Sequence, residues 1–198
     1  MKTKTPVKLM VSEDTKLMLD VKNGDQEAFR ELVEKHKLSV LNLCLRFTGN
    51  KDEADDLAQD VFMRVYQAAP RYEAKASFTT WLYRITLNLC LNFQRRKKLL
   101  TFFSLDQNSN NQYNKSTEIP ITSDQPDTNF EKQEKQRIIQ EAINSLPENQ
   151  KTVVILYRYQ QLSYQEIASV LETSVSAVES RLFRARHNLK KRLEPYQK

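Results

Sequence analysis

Glycine is nearly missing: Gly24 and Gly49 are the only two in 198 residues. A loop that cradles phosphate needs several positions where backbone approaches the anion closely, so a Gly-rich nucleotide-binding loop is excluded. Tight hairpins want glycine at positive φ, and their absence argues against a sheet. Cysteine is as scarce. Cys44 and Cys90 stand far apart with no Cys-x-x-Cys pair, which argues against a disulfide framework or a zinc finger and points to a reducing cytoplasm. Two histidines, His36 and His187, are too few for a multi-His metal site. No apolar run approaches the ~18–20 residues of a membrane span, and the polar N-terminus has no signal-peptide core, so no membrane insertion is expected. Apolar residues make up 39% of the chain, enough for modest cores. An all-α protein follows, cytoplasmic, with no cofactor and no metal expected.

What is present is basic charge, unevenly spread. Thirty-one Lys and Arg against 25 Asp and Glu leave a net +6. Residues 1–100 hold 18 basic and 13 acidic side chains, 101–130 hold 1 and 4, and 131–198 hold 12 and 8. Two basic modules therefore flank an acidic middle. That middle is rich in Asn, Ser, Thr and Gln, with Pro120 and Pro126 and no helical period. Such a composition buries too little surface to offset its ordering entropy, so 101–130 reads as a flexible linker. Fully extended, about thirty residues reach roughly 100 Å. Scattered Phe102, Phe103, Leu105, Ile119 and Ile121 leave a docked path open as a second reading.

The expected architecture is two small helical domains, an N-terminal bundle over 14–100 and a C-terminal helix-turn-helix bundle over 131–198. In the first, a helix from Asp14 stops at Asn23-Gly24, Asp25 caps the next, and Gly49-Asn50 ends it. Asp52 is expected to open a third helix, with Asp55 as its box-like partner. Pro70 closes that helix, and Ser77 caps a long fourth one to about Lys98. In the second, Pro147 suits a first helical position. Two capping boxes follow, Ser163 with Glu166 and Ser176 with Glu179.

Three features carry function. The last helix sets Val178, Leu182, Ala185, Leu189 and Leu193 on one side and Ser180, Arg181, Arg184, His187, Asn188 and Lys191 on the other. A major groove accepts one helix, and Arg forks onto guanine acceptors there. The bland alternative is a solvated face on a packing helix. Glu179 has two readings, as capping-box partner or as acceptor from a cytosine amino group. The helix from Ser77 carries an apolar stripe, Phe78, Leu82, Ile85, Leu89 and Phe93. Leu87 and Leu91 lie well round from it, which implies burial on more than one side. Trp81, Arg84, Asn88, Asn92 and Arg95 form a further line, ending in Arg95-Arg96-Lys97-Lys98. Aromatic faces stack bases, amides read their edges and cations hold phosphates; a core Trp81 and a dipole-complementing basic end are the alternative. Finally, Asp52, Glu53, Asp55, Asp56 and Asp60 crowd one helix. Helix-start acids are ordinary, no base or nucleophile accompanies them, and catalysis is not expected. A docking face for a basic partner or a solvated face remains.

With these residues in place the chain resembles the extracytoplasmic-function sigma factors, the small two-domain group of the sigma-70 family. The resemblance is carried by Asp52-Glu-Ala-Asp-Asp-Leu-Ala-Gln-Asp-Val-Phe-Met-Arg-Val-Tyr66, by Phe78-Thr-Thr-Trp-Leu-Tyr-Arg-Ile85 with Asn88 and Arg95-Arg96-Lys97, and by Leu146-Pro-Glu, Leu162-Ser-Tyr-Gln-Glu-Ile-Ala168 and Ser180-Arg-Leu-Phe-Arg-Ala-Arg186. It covers about 14–98 and 131–194. It implies docking on core RNA polymerase, at the clamp of the largest subunit, through Asp55, Asp56, Gln59, Asp60, Met63 and Arg64, with the second-largest subunit as a further contact. It implies capture of the opened minus-ten promoter element by Tyr72, Trp81, Arg84, Asn88, Asn92, Arg95, Arg96 and Lys97. It implies reading of minus-thirty-five duplex by Ser174, Ser176, Glu179, Ser180, Arg181, Phe183, Arg184 and Lys191. An anti-sigma protein is a further implied partner. Three departures stand out. The loop 72–77 lacks the Gly often found there, position 179 is Glu where many members have Arg or Lys, and residues to about Val11 have no family counterpart and are expected to be frayed. The competing readings are a stand-alone helix-turn-helix regulator and a metal-dependent nuclease built on the Asp cluster.

Overall fold

The structure is a computed structural model in which residues 12–105 and 126–196 are described. Among them there are eight α-helices and no strand. The stretch to Val11 and the middle of the linker, 106–125, lie outside the described residues.

Helix α1 spans Glu13–Lys22 and is capped by Ser12, whose hydroxyl accepts the Thr15 N–H at 3.3 Å. Gly24, at φ 98°, turns the chain into α2, Gln26–Thr48. The Asp25 carboxylate caps α2 by accepting from the N–H groups of Glu27 and Ala28 at 2.8 and 3.1 Å. Gly49, left-handed at φ 69°, ends it and returns its N–H to the Leu45 carbonyl. Helix α3 runs Lys51–Ala68, and its cap is Asn50 rather than the expected Asp52: the Asn50 amide oxygen takes the Glu53 N–H at 3.0 Å. The left-handed Gly49 places the side chain that follows it over the open helix end. Asp52 and Glu53 then sit in the first turn, where they complement the dipole, and Asp55 has no box to complete. A 3₁₀ turn holding Pro70 follows, and α4 spans Phe78–Leu105, with Ser77 accepting the Thr80 N–H at 3.2 Å.

Helix α5 spans Pro126–Asn144, α6 Glu148–Arg158, α7 Tyr164–Val170 and α8 Val175–Leu193. The ends of the segment expected to be a flexible linker, 101–105 and 126–130, are thus helical. Pro147 precedes α6 as its cap residue instead of occupying its first turn. The first capping box forms as expected between Ser163 and Glu166. The second does not: Ser174 caps α8 by taking the Ala177 N–H, and Glu179 is left exposed.

In the first module α2 packs on α1, α3 and α4; in the second α8 packs on α5, α6 and α7; α4 also packs on α7. The stripe of α8 is buried at Val178, Leu182 and Ala185. Helix α4 buries Phe78, Leu82 and Leu89 and also Tyr83 and Leu87, the two-sided burial its sequence implied. His36, read as a boundary residue in the sequence, is buried, its Nε2 3.0 Å from Asp14 and its ring against Phe78. Cys44 and Cys90 are free and buried with their sulfurs 3.9 Å apart. The Cys44 thiol, then burial, push the Cys90 thiol far above the usual range, so both fill the core as small hydrophobes.

Candidate polymerase and promoter interfaces

The acidic face of α3 is open. Asp56, Gln59, Asp60, Met63 and Arg64 are exposed and Asp55 is half-buried. Among the described residues no cation pairs with Asp55, Asp56 or Asp60, and no group of three His, Cys, Asp or Glu is arranged to hold a metal. Met63 and Tyr66 add exposed apolar surface beside the carboxylates, and Tyr66 leans on Phe29 with ring centroids 5.0 Å apart. A ridge of unpaired carboxylates around an apolar centre fits a basic protein partner.

On α4 the expected line splits. Asn88 and Asn92 are exposed, and they line a shallow groove of about 390 Å³ with Arg64 and Gln67 of α3 and with Arg71 just beyond it. Ile85 and Leu89 also line the groove. Arg64, expected on the docking face, therefore also borders the groove, and Gln67 and Arg71 were missed. Their signal was legible: positions 64, 67 and 71 recur at helical spacing and point where α4 presents its amides. Trp81 is half-buried, its ring 6.0 Å from Phe78 and edge-on to Tyr72 at 5.0 Å. Tyr72 corrects the expectation outright. It is only 2% exposed, a core residue that steadies Trp81 and presents no face to a nucleotide. Burial pushes its phenol up.

The basic end is partly spent. Lys97 places its Nζ 2.7 Å from Glu53, and Arg95 lies 3.4 Å from Glu148, while Arg96 is exposed. Arg84 is fully engaged: its Nε and Nη2 donate to the Ser169 carbonyl at 3.1 and 2.5 Å, and its Nη1 lies 2.8 Å from Glu172.

Helices α7 and α8 form a helix-turn-helix whose turn contains no glycine; Glu172 takes the left-handed conformation instead, at φ 50°. On the outer face of α8 a shallow hollow of about 520 Å³ is lined by Glu179, Ser180, Phe183 and Arg184. Phe183 is 74% exposed, and the Arg184 Nε rests on the Ser180 carbonyl of its own helix at 3.2 Å. Ser174 and Ser176 stand together at the start of α8, their hydroxyls 3.0 Å apart. Arg181 is half-buried, and Lys191 is exposed in the last turn with Lys190 and Arg192.

Residues 32–99 match Sigma-70 region 2, and residues 136–189 match Sigma-70, region 4. The chain is 33% identical over 178 residues to the ECF RNA polymerase sigma factor SigW of Bacillus subtilis, covering 90% of this chain and 95% of that one. It belongs to the extracytoplasmic-function sigma factors of the sigma-70 family. A second relative, the RNA polymerase sigma-H factor of Pseudomonas aeruginosa, is 31% identical across 94% of this chain and 97% of its own length. The fold is shared with CnrH, solved in complex with the cytosolic domain of CnrY, at a TM-score of 0.69 and 23% identity, over 93% of this chain and 99% of that one. As a sigma factor the chain directs core RNA polymerase to promoters, and its two modules carry the matches to regions 2 and 4. A stand-alone helix-turn-helix regulator is not favoured.

Proposed function

We propose that this sigma factor divides promoter recognition between its modules and performs no catalysis itself. The α3 ridge, through Asp56, Asp60 and Met63, grips the clamp of core polymerase. Helix α8 enters the major groove of minus-thirty-five duplex, where Arg184 forks onto guanine acceptors and Ser174 and Ser176 hold phosphate at the helix start. The α3–α4 groove takes the opened minus-ten strand. Unstacking a base costs a few kcal/mol; stacking and hydrogen bonds at Trp81, Asn88 and Asn92, with phosphates held by Arg64, Arg71 and Arg96, offset that cost only at the right sequence. The observation that carries the reading is the convergence of two amides and two arginines from separate helices on one groove.

Work in the cytoplasm follows from a task performed on polymerase. No helix among the described residues is long and apolar enough to cross a membrane. The sigma factor RpoE of Bartonella quintana, which shares the fold at a TM-score of 0.62 and was solved in complex with the anti-sigma factor NepR, supports an anti-sigma partner for this chain as well. Run-off transcription from a genomic promoter library with purified core enzyme is expected to yield promoter-directed transcripts that require this chain. Absence of such transcripts on every template overturns the reading.

A further inference from the structure

Among the described residues, no contact accounts for the Glu179 side chain. Ser174 holds the start of α8 by taking the Ala177 N–H at 3.2 Å, so the Glu179 carboxylate caps nothing. It stands beyond the first turn, which contains no acid, so it does not complement the helix dipole. Its neighbours one turn away are Val175, Ser176, Leu182 and Phe183, none of them a cation. The carboxylate is exposed and enters no ion pair or hydrogen bond among the described residues. Phe183 is equally idle in the fold: Val178, Leu182 and Ala185 are the buried stripe, while its ring is 74% exposed.

Glu179, Ser180, Phe183 and Arg184 line the hollow on the outer face of α8. Residues four apart stack on a helix face, so the four fall into two columns. Ser180 lies over Arg184, a column that donates. Glu179 lies over Phe183, a column with an acceptor, an apolar ring and no side-chain donor. The second column cannot hold phosphate. It cannot read guanine either, because N7 and O6 both accept. Cytosine and adenine each offer an amino group to the major groove. Adenine sets its N7 acceptor beside that group and repels the second carboxylate oxygen; cytosine sets only a C–H there. Phe183 lies one turn on, roughly 5.4 Å, which is about one to two base-pair steps. Its apolar ring matches the methyl group of thymine.

We propose that this column sets the sequence preference of α8 beside the Arg184 contact. Glu179 selects cytosine by accepting from its amino group, and Phe183 selects thymine about one to two base pairs away. The proposal rests on reading α8 as the helix that enters duplex. Glu179 also acts by exclusion: against guanine or thymine its carboxylate loses water and meets acceptors or a methyl group, which penalises those sequences.

The test uses holoenzyme assembled from the full chain and purified core polymerase. It selects from duplex fragments randomised across the minus-thirty-five region, and the bound fragments are sequenced. The wild type is expected to prefer cytosine roughly tenfold at one position and thymine at a second within about two base pairs. Glu179→Gln is expected to move the first position to adenine, whose N6 and N7 suit an amide, and Glu179→Ala to accept all four bases there within about twofold. Phe183→Ala is expected to lose the thymine preference. Replacing that thymine by deoxyuridine, which lacks the methyl group, is expected to weaken binding of the wild type and not of Phe183→Ala. Preferences at the other selected positions persist in all variants, which shows that α8 is folded and docked. If the wild type and both Glu179 variants select one and the same sequence, the assignment is overturned and α8 remains the reader. A wild-type holoenzyme that opens promoters yet selects no base in this region overturns the reading of α8 itself, and the assignment with it.

Discussion

Among the described residues, only a carbonyl of its own helix holds the Arg184 guanidinium, at 3.2 Å. A guanidinium that free is available to a base edge, so Arg184→Ala is expected to weaken minus-thirty-five duplex binding by ~1–3 kcal/mol, read by titrating the holoenzyme onto duplex. Unchanged affinity would move the reading contact elsewhere. Glu179 loses its capping role because Ser174 holds the helix start, which leaves cytosine recognition as the remaining reading of the two. Asn88→Ala is expected to impair strand opening at the minus-ten element while core binding stays normal, measured by permanganate footprinting beside a core-binding titration. At this scale the sequence was a partial guide. It set Asn88, Asn92 and Arg184 on outward stripes from helical spacing, and all three are exposed. It misplaced Tyr72 because a tyrosine beside a basic helix looks the same in sequence whether its ring faces solvent or Trp81.

Element boundaries show a different limit. Ser163 and Glu166 form a reciprocal box, with the Glu166 carboxylate accepting from the Ser163 N–H at 2.8 Å. Ser163→Ala is expected to cost about 1 kcal/mol of stability, seen as a drop of a few degrees in Tm. The caps of α3 and α8 shifted by two residues, to Asn50 and Ser174, because Asn-x-Asp and Ser-x-Ser each offer two capable side chains. Only the turn before the helix decides which one faces the open N–H groups. The acidic ridge does not depend on that register. Its carboxylates at 56 and 60 lie one turn apart on any helix through that segment. Reversing both, Asp56→Lys with Asp60→Lys, is expected to abolish core binding, while the isolated duplex contact of α8 persists in a mobility-shift assay at low salt. Loss of neither would assign docking to another face.

For the whole molecule, Lys151 couples stability to pH. Desolvation, then the Lys98 charge, lower its pKa to about 8 from an ordinary 10.5, with Cys90 acting the other way; Glu148, one turn before it, is taken up by Arg95. The unfolded chain therefore binds this proton more tightly than the folded one. The folded state gains as pH rises from about 8 towards 10.5, and below 8 the penalty is constant. Denaturant unfolding at pH 7 and pH 9.5 is expected to show Lys151→Met more stable than wild type at pH 7, with the gap narrower at pH 9.5. An equal gap at both pH values would remove Lys151 from the balance.

The sequence by itself determined the helices, the basic modules on either side of an acidic segment, and the family. Those properties live in local spacing: apolar residues every three or four positions, caps at helix starts, charge counted along the chain. The tertiary structure alone decided that Arg64 and Arg71 join Asn88 and Asn92 around one groove, that Tyr72 turns inward, and that Arg84 is held by Glu172. Each of these depends on which helix faces which across tens of residues. A one-dimensional period records only the side of its own helix a residue occupies, and carries no record of what lies opposite.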